Sequence, residues 1–431
     1  MTLAYLASTT DGHLFYHGHS YSLSPITYPN VNIHNILVMG VTSLARSICM
    51  ENKGFITGLD FDATRIPGFP KPLDMDVSSI PPGKRLMLLR AGGIGDLIML
   101  TPALRHLRSR CRPGVKIMLS TFEDRKALFE DLGLVDMFYP HPIRLSDLVD
   151  SADFYVDFSD KRGIFNHVDM IDFHLDCLGM DPSGIPWDQK IPAISSRLSR
   201  NHVIREEIKK ISGHGHSQAT VLYSPGASDR IRYLPDDILK LLASNFKGIN
   251  FVVPGKIPIS CEHMENVFSL DTSSGLDAFV TAIATTDALV STDSSAYHIA
   301  AALGTPSLVF FGPISSSIRT RYYPNVVALE ACYFGETCAS PCGISVLTET
   351  PPVIPIGANR VRILEKGTTI TTHSGKSFIF DPSSGCPEAQ LKGSDISPCL
   401  KSFNPKDIIQ GFEKVLSMIA SPTQEEMTRS L

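Results

Sequence analysis

From Lys84 onward, short unbroken apolar runs alternate with longer helical patterns. Arg85-Leu-Met-Leu-Leu-Arg90 leads into a glycine-rich turn and a helical pattern over 97–110. Val115–Ser120, Met137–Tyr139 and Phe154–Phe158 are further strand-like runs, with helical patterns over 125–132 and 145–151 between them. A strand that is apolar on both sides is covered on both faces, the condition of a parallel sheet. Repeated strand–helix–strand units cross over right-handedly. A second series opens at Thr220–Ser224 and closes at Ser307–Phe311, with helices expected over 236–246, 275–284 and 295–303. The chain is therefore expected to be α/β, with two Rossmann-like domains facing a cleft. Ligands of such sheets bind beyond the carboxyl ends of the strands.

A chain of 431 residues has room for several domains. Residues 1–80 are expected to form an accessory β-rich domain and linker, with short strands at Asn35–Met39 and Gly54–Gly58 and a proline-dotted stretch from Pro67 to Pro82. The first Rossmann-like half is set at 81–215, the second at 216–330, and a cysteine-rich finger with a closing helix at 331–431. Within the last part, Val361–Leu364 and Thr368–Thr371 read as a hairpin, and 405–420 as a helix. A net charge of −5 with no basic stripe disfavours a nucleic-acid partner. No run of eighteen apolar residues predicts a membrane-spanning helix, and the start lacks a secretory signal, so a cytoplasmic protein is expected.

Leu89-Arg-Ala-Gly-Gly-Ile-Gly-Asp-Leu97 follows a strand and opens a helix. Glycines allow a tight turn, and free N–H groups at a helix start favour anions, which makes Gly93 and Gly95 donor-binding candidates. A dinucleotide fingerprint would need a third glycine, but Ile98 stands there, so no NAD is expected. Asp96 lies in the first helical turn, where an acidic residue complements the helix dipole. In the second half, Asp293, Ser294, Ser295 and His298 sit where a strand ends and a helix begins, the place for N–H groups to meet a pyrophosphate.

Gly95-Asp-Leu-Ile-Met-Leu-Thr-Pro-Ala-Leu-Arg-His-Leu-Arg108 resembles the opening motif of the ADP-heptose-type glycosyltransferases, glycosyltransferase family 9. Val290-Ser-Thr-Asp-Ser-Ser-Ala-Tyr-His298, continuing to Gly304-Thr-Pro306, is similar to that family's nucleotide-diphosphate site, with Ser295 where the family prefers glycine. Tyr223-Ser-Pro-Gly-Ala-Ser228 resembles its Pro-Gly-Ala-Ser turn, which makes Ser224 and Gly226 donor-side candidates. Arg230 or Arg232 stands in for the family's lysine after that turn. The resemblance covers about residues 84–420 and implies a GT-B fold. It implies an inverting transfer of a heptose-like sugar from a nucleotide diphosphate donor, ADP-heptose, to a hydroxyl on a protein or lipopolysaccharide. Asp96 inherits the role of base toward the acceptor hydroxyl, with Arg90 and Thr101 on the acceptor side.

Five of the nine cysteines crowd the last hundred residues. Cys338, Cys342, Cys386 and Cys399 form two pairs, and sets of thiolates bind iron or zinc tetrahedrally. Members of the family's bacterial autotransporter branch carry such a cluster with iron and an added N-terminal β domain, so one structural metal and a homo-oligomer are expected here. The competing readings are a nucleotide-sugar epimerase or NAD enzyme of similar architecture, and a non-catalytic sugar-binding relative.

Overall fold

The computed structural model describes residues 3–26, 32–40, 54–57, 62–158, 168–215, 217–348 and 362–420, with single positions between 45 and 52. The chain divides into two compact units, one ending at Lys190 and the other starting at Ile191.

Among the described residues, the first unit contains a parallel sheet, an antiparallel sheet and a separate hairpin. The parallel one has five strands in the order β6-β11-β7-β8-β9: β6 (Lys71–Pro72), β7 (Arg85–Leu89), β8 (Lys116–Thr121), β9 (Met137–Pro140) and β11 (Phe154–Asp157). Residues 86–89 of β7 are wholly buried, as their unbroken apolar run requires. Between β7 and β8 run helices α1 (Ile94–Ile98) and α2 (Thr101–Arg110). The chain reverses its direction of travel across the sheet between β7 and β11, the place where a doubly wound sheet opens a ligand crevice. The second sheet is antiparallel: β1 (Tyr5–Ser8), β4 (Ile36–Val38), β5 (Phe55–Thr57) and β10 (Ile143–Arg144), in the order β10-β4-β1-β5. The N-terminal strands are thus tied by Ile143↔Val38 to residues inside the α/β half. A separate hairpin pairs β2 (Gly12–Tyr16) with β3 (His19–Leu23). Lys71 and Pro72, expected in a linker, form an edge strand beside Phe154 and Tyr155.

The second unit holds a six-stranded parallel sheet in the order β14-β13-β12-β15-β16-β17. Its strands are β12 (Ala219–Ser224), β13 (Ile249–Pro254), β14 (Val267–Leu270), β15 (Ala288–Thr292), β16 (Ser307–Phe311) and β17 (Val326–Glu330). The switch point falls between β12 and β15. The helix His202–Ser212, which sequence placed at the end of the first half, lies in this unit. Asn201, its N-cap, donates to Asp277 (2.9 Å) and to Thr281 (3.1 Å) on the helix Leu276–Thr285. The closing helix Pro405–Ala420 buries Ile408, Phe412 and Val415 in the sheet's core.

The insertion after Cys342 differs from its sequence reading. Arg362–Glu365 (β19) does not pair with Thr369–Thr371 (β20). It pairs in parallel with Ile344–Thr348 (β18), while β20 forms the hairpin with Ser377–Ile379 (β21). The partner of β19 lies across the insertion, beyond the reach of local turn signals. Ile344, Leu364 and Phe380 of this excursion pack around Ile231, next to the second unit's sheet.

Candidate active site

In the second unit, the turns after β12 and β15 meet at the switch point. Ser291 Oγ donates to the Ser224 carbonyl (3.0 Å) and lies 3.1 Å from Ser294 Oγ. Ser294 caps the helix Ser295–Leu303 by accepting from Ala296 N (3.3 Å). Asp293 is buried. Its Oδ1 accepts from Tyr297 Oη (3.2 Å), and its Oδ2 lies 3.6 Å from Arg232 Nη1, which also donates to the Asp293 carbonyl (2.9 Å). Burial and the Asp293 carboxylate push the Tyr297 phenol far above its usual range, so it stays protonated and donates. Asp293 therefore anchors the loop through two side chains. His298 is buried on the first turns of the helix, with Nδ1 2.7 Å from Tyr323 Oη.

The two arginine candidates separate. Arg232 lies in the loop network, donating to Ser228 Oγ (2.8 Å) as well as to Asp293. Arg230 points to the insertion, where it donates to the Ser383 carbonyl (3.3 Å). Asp229 holds the same turn by accepting from Leu347 N (2.8 Å). The insertion thus braces the turn that presents Arg232. Gly226 faces open space: a Cβ built there meets no atom within 4 Å. Ser295, the family's glycine position, is half-buried as the first helical residue.

In the first unit, Asp96 folds back over its own helix start. Its Oδ2 accepts from Gly93 N (3.0 Å), and its Oδ1 lies 3.6 Å from Nη2 of the buried Arg90. This places Gly93 and Gly95 differently from their sequence reading. The N–H of Gly93 already serves the Asp96 carboxylate, whose charge would repel a diphosphate, and the helix is only five residues long. Arg90 and Thr101 are both buried, Thr101 Oγ1 donating to the Ile98 carbonyl (2.7 Å). Neither offers an exposed face to an acceptor.

Two residues the sequence did not single out complete this corner. Gly92 packs against Asp96: a Cβ there would lie 2.9 Å from Asp96 Oδ2. His174, on the helix Met170–Cys177, is fully buried, with Nδ1 3.2 Å from the Met99 carbonyl that follows the Asp96 helix. Burial first, and then the Arg90 charge, lower its pKa to about 3, so the imidazole is neutral and Nδ1 carries the proton donated to Met99.

The four expected metal ligands converge. Cys338, Cys342, Cys386 and Cys399 line one small cavity, beside Tyr333 and Glu388. Burial, then the neighbouring Cys342 and Cys386 thiols, push Cys338 up to about 12; burial and the other three cysteines raise Cys399 as well. Among the described residues, no group of three or more His, Cys, Asp or Glu meets the geometry for holding a metal ion as placed. Gly312, in the stretch after β16, is where Cys399 docks: a Cβ there would lie 2.9 Å from its Sγ. No described helix is long and apolar enough to cross a membrane.

Two parallel α/β sheets, each reversing its strand order at a switch point, are the architecture of the GT-B fold. Residues 256–340 match the family model of glycosyltransferase family 9 (heptosyltransferase). A comparison of the sequence with curated proteins finds no match. The iron-containing dodecameric glycosyltransferase TibC from enterotoxigenic E. coli H10407 is similar in fold, with TM-score 0.51 and 12% identity over 80% of this chain and 81% of that one. TibC in complex with ADP-D-beta-D-heptose gives TM-score 0.48 and 13% identity over 79% of each chain. The E. coli ADP-heptose LPS heptosyltransferase II gives TM-score 0.45 and 16% identity over 57% of this chain and 90% of that one.

Proposed function

We propose that this protein is an inverting glycosyltransferase that moves a heptose-like sugar from ADP-heptose to a hydroxyl on a protein or lipopolysaccharide. The observation that carries this reading is the pair of turns at the second unit's switch point, where Arg232 reaches the loop before the helix Ser295–Leu303, a helix that lies within the segment matched to family 9. In the proposed step, an acceptor oxygen attacks the anomeric carbon and its proton passes to the Asp96 carboxylate. The bond between that carbon and the diphosphate oxygen breaks, and its electron pair leaves with the nucleotide. Arg232 and the helix N–H groups offset the charge that develops on the leaving group. Asp293 and Ser294 act by holding the loop; His298 and Gly226 flank the diphosphate, with Ser295 at the helix start.

The thiol cavity fits a soft cation by its donor set. We assign Cys338, Cys342, Cys386 and Cys399 to one iron or zinc, which would reverse the burial cost of four thiolates and cross-link the finger to the sheet. Four protein thiolates leave no open position for chemistry. Nine cysteines, four of them gathered as thiols around one cavity, suit a reducing compartment, and we place the protein in the cytoplasm. Homo-oligomerisation is proposed after TibC, which is described as dodecameric.

Calorimetry with ADP, UDP and GDP tests the donor. ADP is expected to bind most tightly, and a clear preference for UDP would overturn the ADP-heptose assignment. Asp96→Asn tests the base: transfer should fall on the order of 100- to 10,000-fold with ADP affinity intact.

A further inference from the structure

The carboxylate of Glu388 is buried, with a side-chain exposure of only 1%. Its Oε2 accepts from Thr337 N (2.8 Å) and Thr337 Oγ1 (2.7 Å). Its Oε1 accepts from Tyr333 Oη (3.0 Å) and Glu336 N (3.3 Å), and Lys392 Nζ lies 3.4 Å away. These hydrogen-bond donors lie on the stretch that leads into Cys338, while Glu388 itself lies in the first turn of the helix Pro387–Leu391, whose N-cap is Cys386. One side chain therefore fastens together two cysteine-bearing segments that are 48 positions apart in sequence (386 minus 338). The backbone closes tightly around it, since a Cβ on Gly335 would run into the Glu388 carboxyl carbon.

We propose that Glu388 is a positioning residue of the thiol cavity: it fixes Cys338 relative to Cys386, so that the four sulfurs are held ready for one ion. The inference rests on the metal reading above. A carboxylate suits this task where an amide would not. Donors converge on both oxygens, and the NH2 of a glutamine would face either the Thr337 pair or the Tyr333 and Glu336 pair, donor against donor. Uncompensated buried charge is avoided because Lys392 sits beside the carboxylate. Side chains that orient metal ligands typically change affinity 10- to 100-fold when altered.

The test uses the full chain, stripped of metal and reloaded with zinc(II) in competition with a chromophoric chelator. Glu388→Gln is expected to weaken zinc about 10- to 100-fold, and Thr337→Val, which removes one donor, to weaken it several-fold. The thermal unfolding of each metal-free variant is followed alongside. If Glu388→Gln does not fold, Thr337→Val decides alone. Zinc affinity within twofold of wild type in a folded variant would overturn the proposal while leaving the metal site standing. A wild-type chain that takes up no zinc or iron would overturn the metal reading, and this inference with it.

Discussion

Replacing Gly92 by alanine leaves every charged group in place and adds one methyl carbon. That carbon would stand 2.9 Å from Asp96 Oδ2 and 3.0 Å from Asp96 Cβ, where ordinary contact begins at 3.4 Å. Asp96 must therefore retreat by roughly half an ångström, the difference between those contacts. Moving away from Gly92 strains its two contacts: Oδ2 is held by Gly93 N at 3.0 Å and Oδ1 faces Arg90 at 3.6 Å. A hydrogen bond to a charged group contributes about 1.5–3 kcal/mol, so moving off it is resisted, and the strain is shared between the helix start and the carboxylate. A misplacement of about 1 Å at a reacting group can cost on the order of 100-fold, so half of that predicts a fall in kcat of roughly tenfold. The assay is the initial rate of sugar transfer, paired with ADP calorimetry. ADP affinity should stay within about twofold of wild type, because the donor turns belong to the other compact unit. If Gly92→Ala keeps wild-type kcat while Asp96→Asn is inactive, the steric argument is wrong. If both variants are active, Asp96 is not the base.

Arg232→Ala should weaken ADP about tenfold, while Arg230→Ala, whose guanidinium serves the Ser383 carbonyl, should leave it within a factor of two or three; calorimetry on the pair would reverse the assignment if the order were swapped. His174→Phe keeps the ring volume and removes the bond to Met99, at a cost of about 1–3 kcal/mol by urea unfolding at pH 8. A folded-state pKa of about 3 against an ordinary value of 6.5 means that His174 lends stability that is fully present above pH 6.5 and is lost as the pH falls from 6.5 toward 3. The phenylalanine variant should lose less stability than wild type across that window, and equal losses would refute the neutral imidazole. Elemental analysis of protein purified without chelator should find close to one equivalent of iron or zinc; less than about a tenth, with the C-terminal thiols all reactive, would remove the site.

The parallel strands were legible because burial on both faces leaves only apolar residues in them. Arg85–Leu89 and Ser307–Phe311 were bounded to within a residue in this way. The edge strands Val267–Leu270 and Val326–Glu330 escaped because they are short and only partly buried. The hairpin misassigned near Gly367 shows the limit of turn signals, since the partner of Arg362–Glu365 lies on the far side of the insertion. The motif residues at the second switch point came together, but their division of labour did not show in the letters. An aspartate where a strand ends and a helix begins reads as a ligand for an anion-binding loop, and only the structure shows its carboxylate facing Arg232 and Tyr297. Gly92, His174 and Glu388 carry no pattern at all: a third glycine in a turn, a histidine on a short apolar helix and a glutamate after proline acquire meaning only through neighbours distant in sequence.

The pairing of β4 with β10 has a consequence for how the chain is made. Val38 leaves the ribosome about 100 residues before its strand partner Ile143, a delay of roughly 5–20 s at ordinary rates of synthesis. Through that interval one edge of β4 has no partner from its final sheet, and an open edge is a template for pairing with other chains. The hairpin Gly12–Leu23 is in the same position, because Tyr21 Oη donates to the Pro142 carbonyl, which is also made late. A nascent chain stalled before residue 143 should therefore associate with copies of itself or with a chaperone, and one stalled after the sheet can close should not.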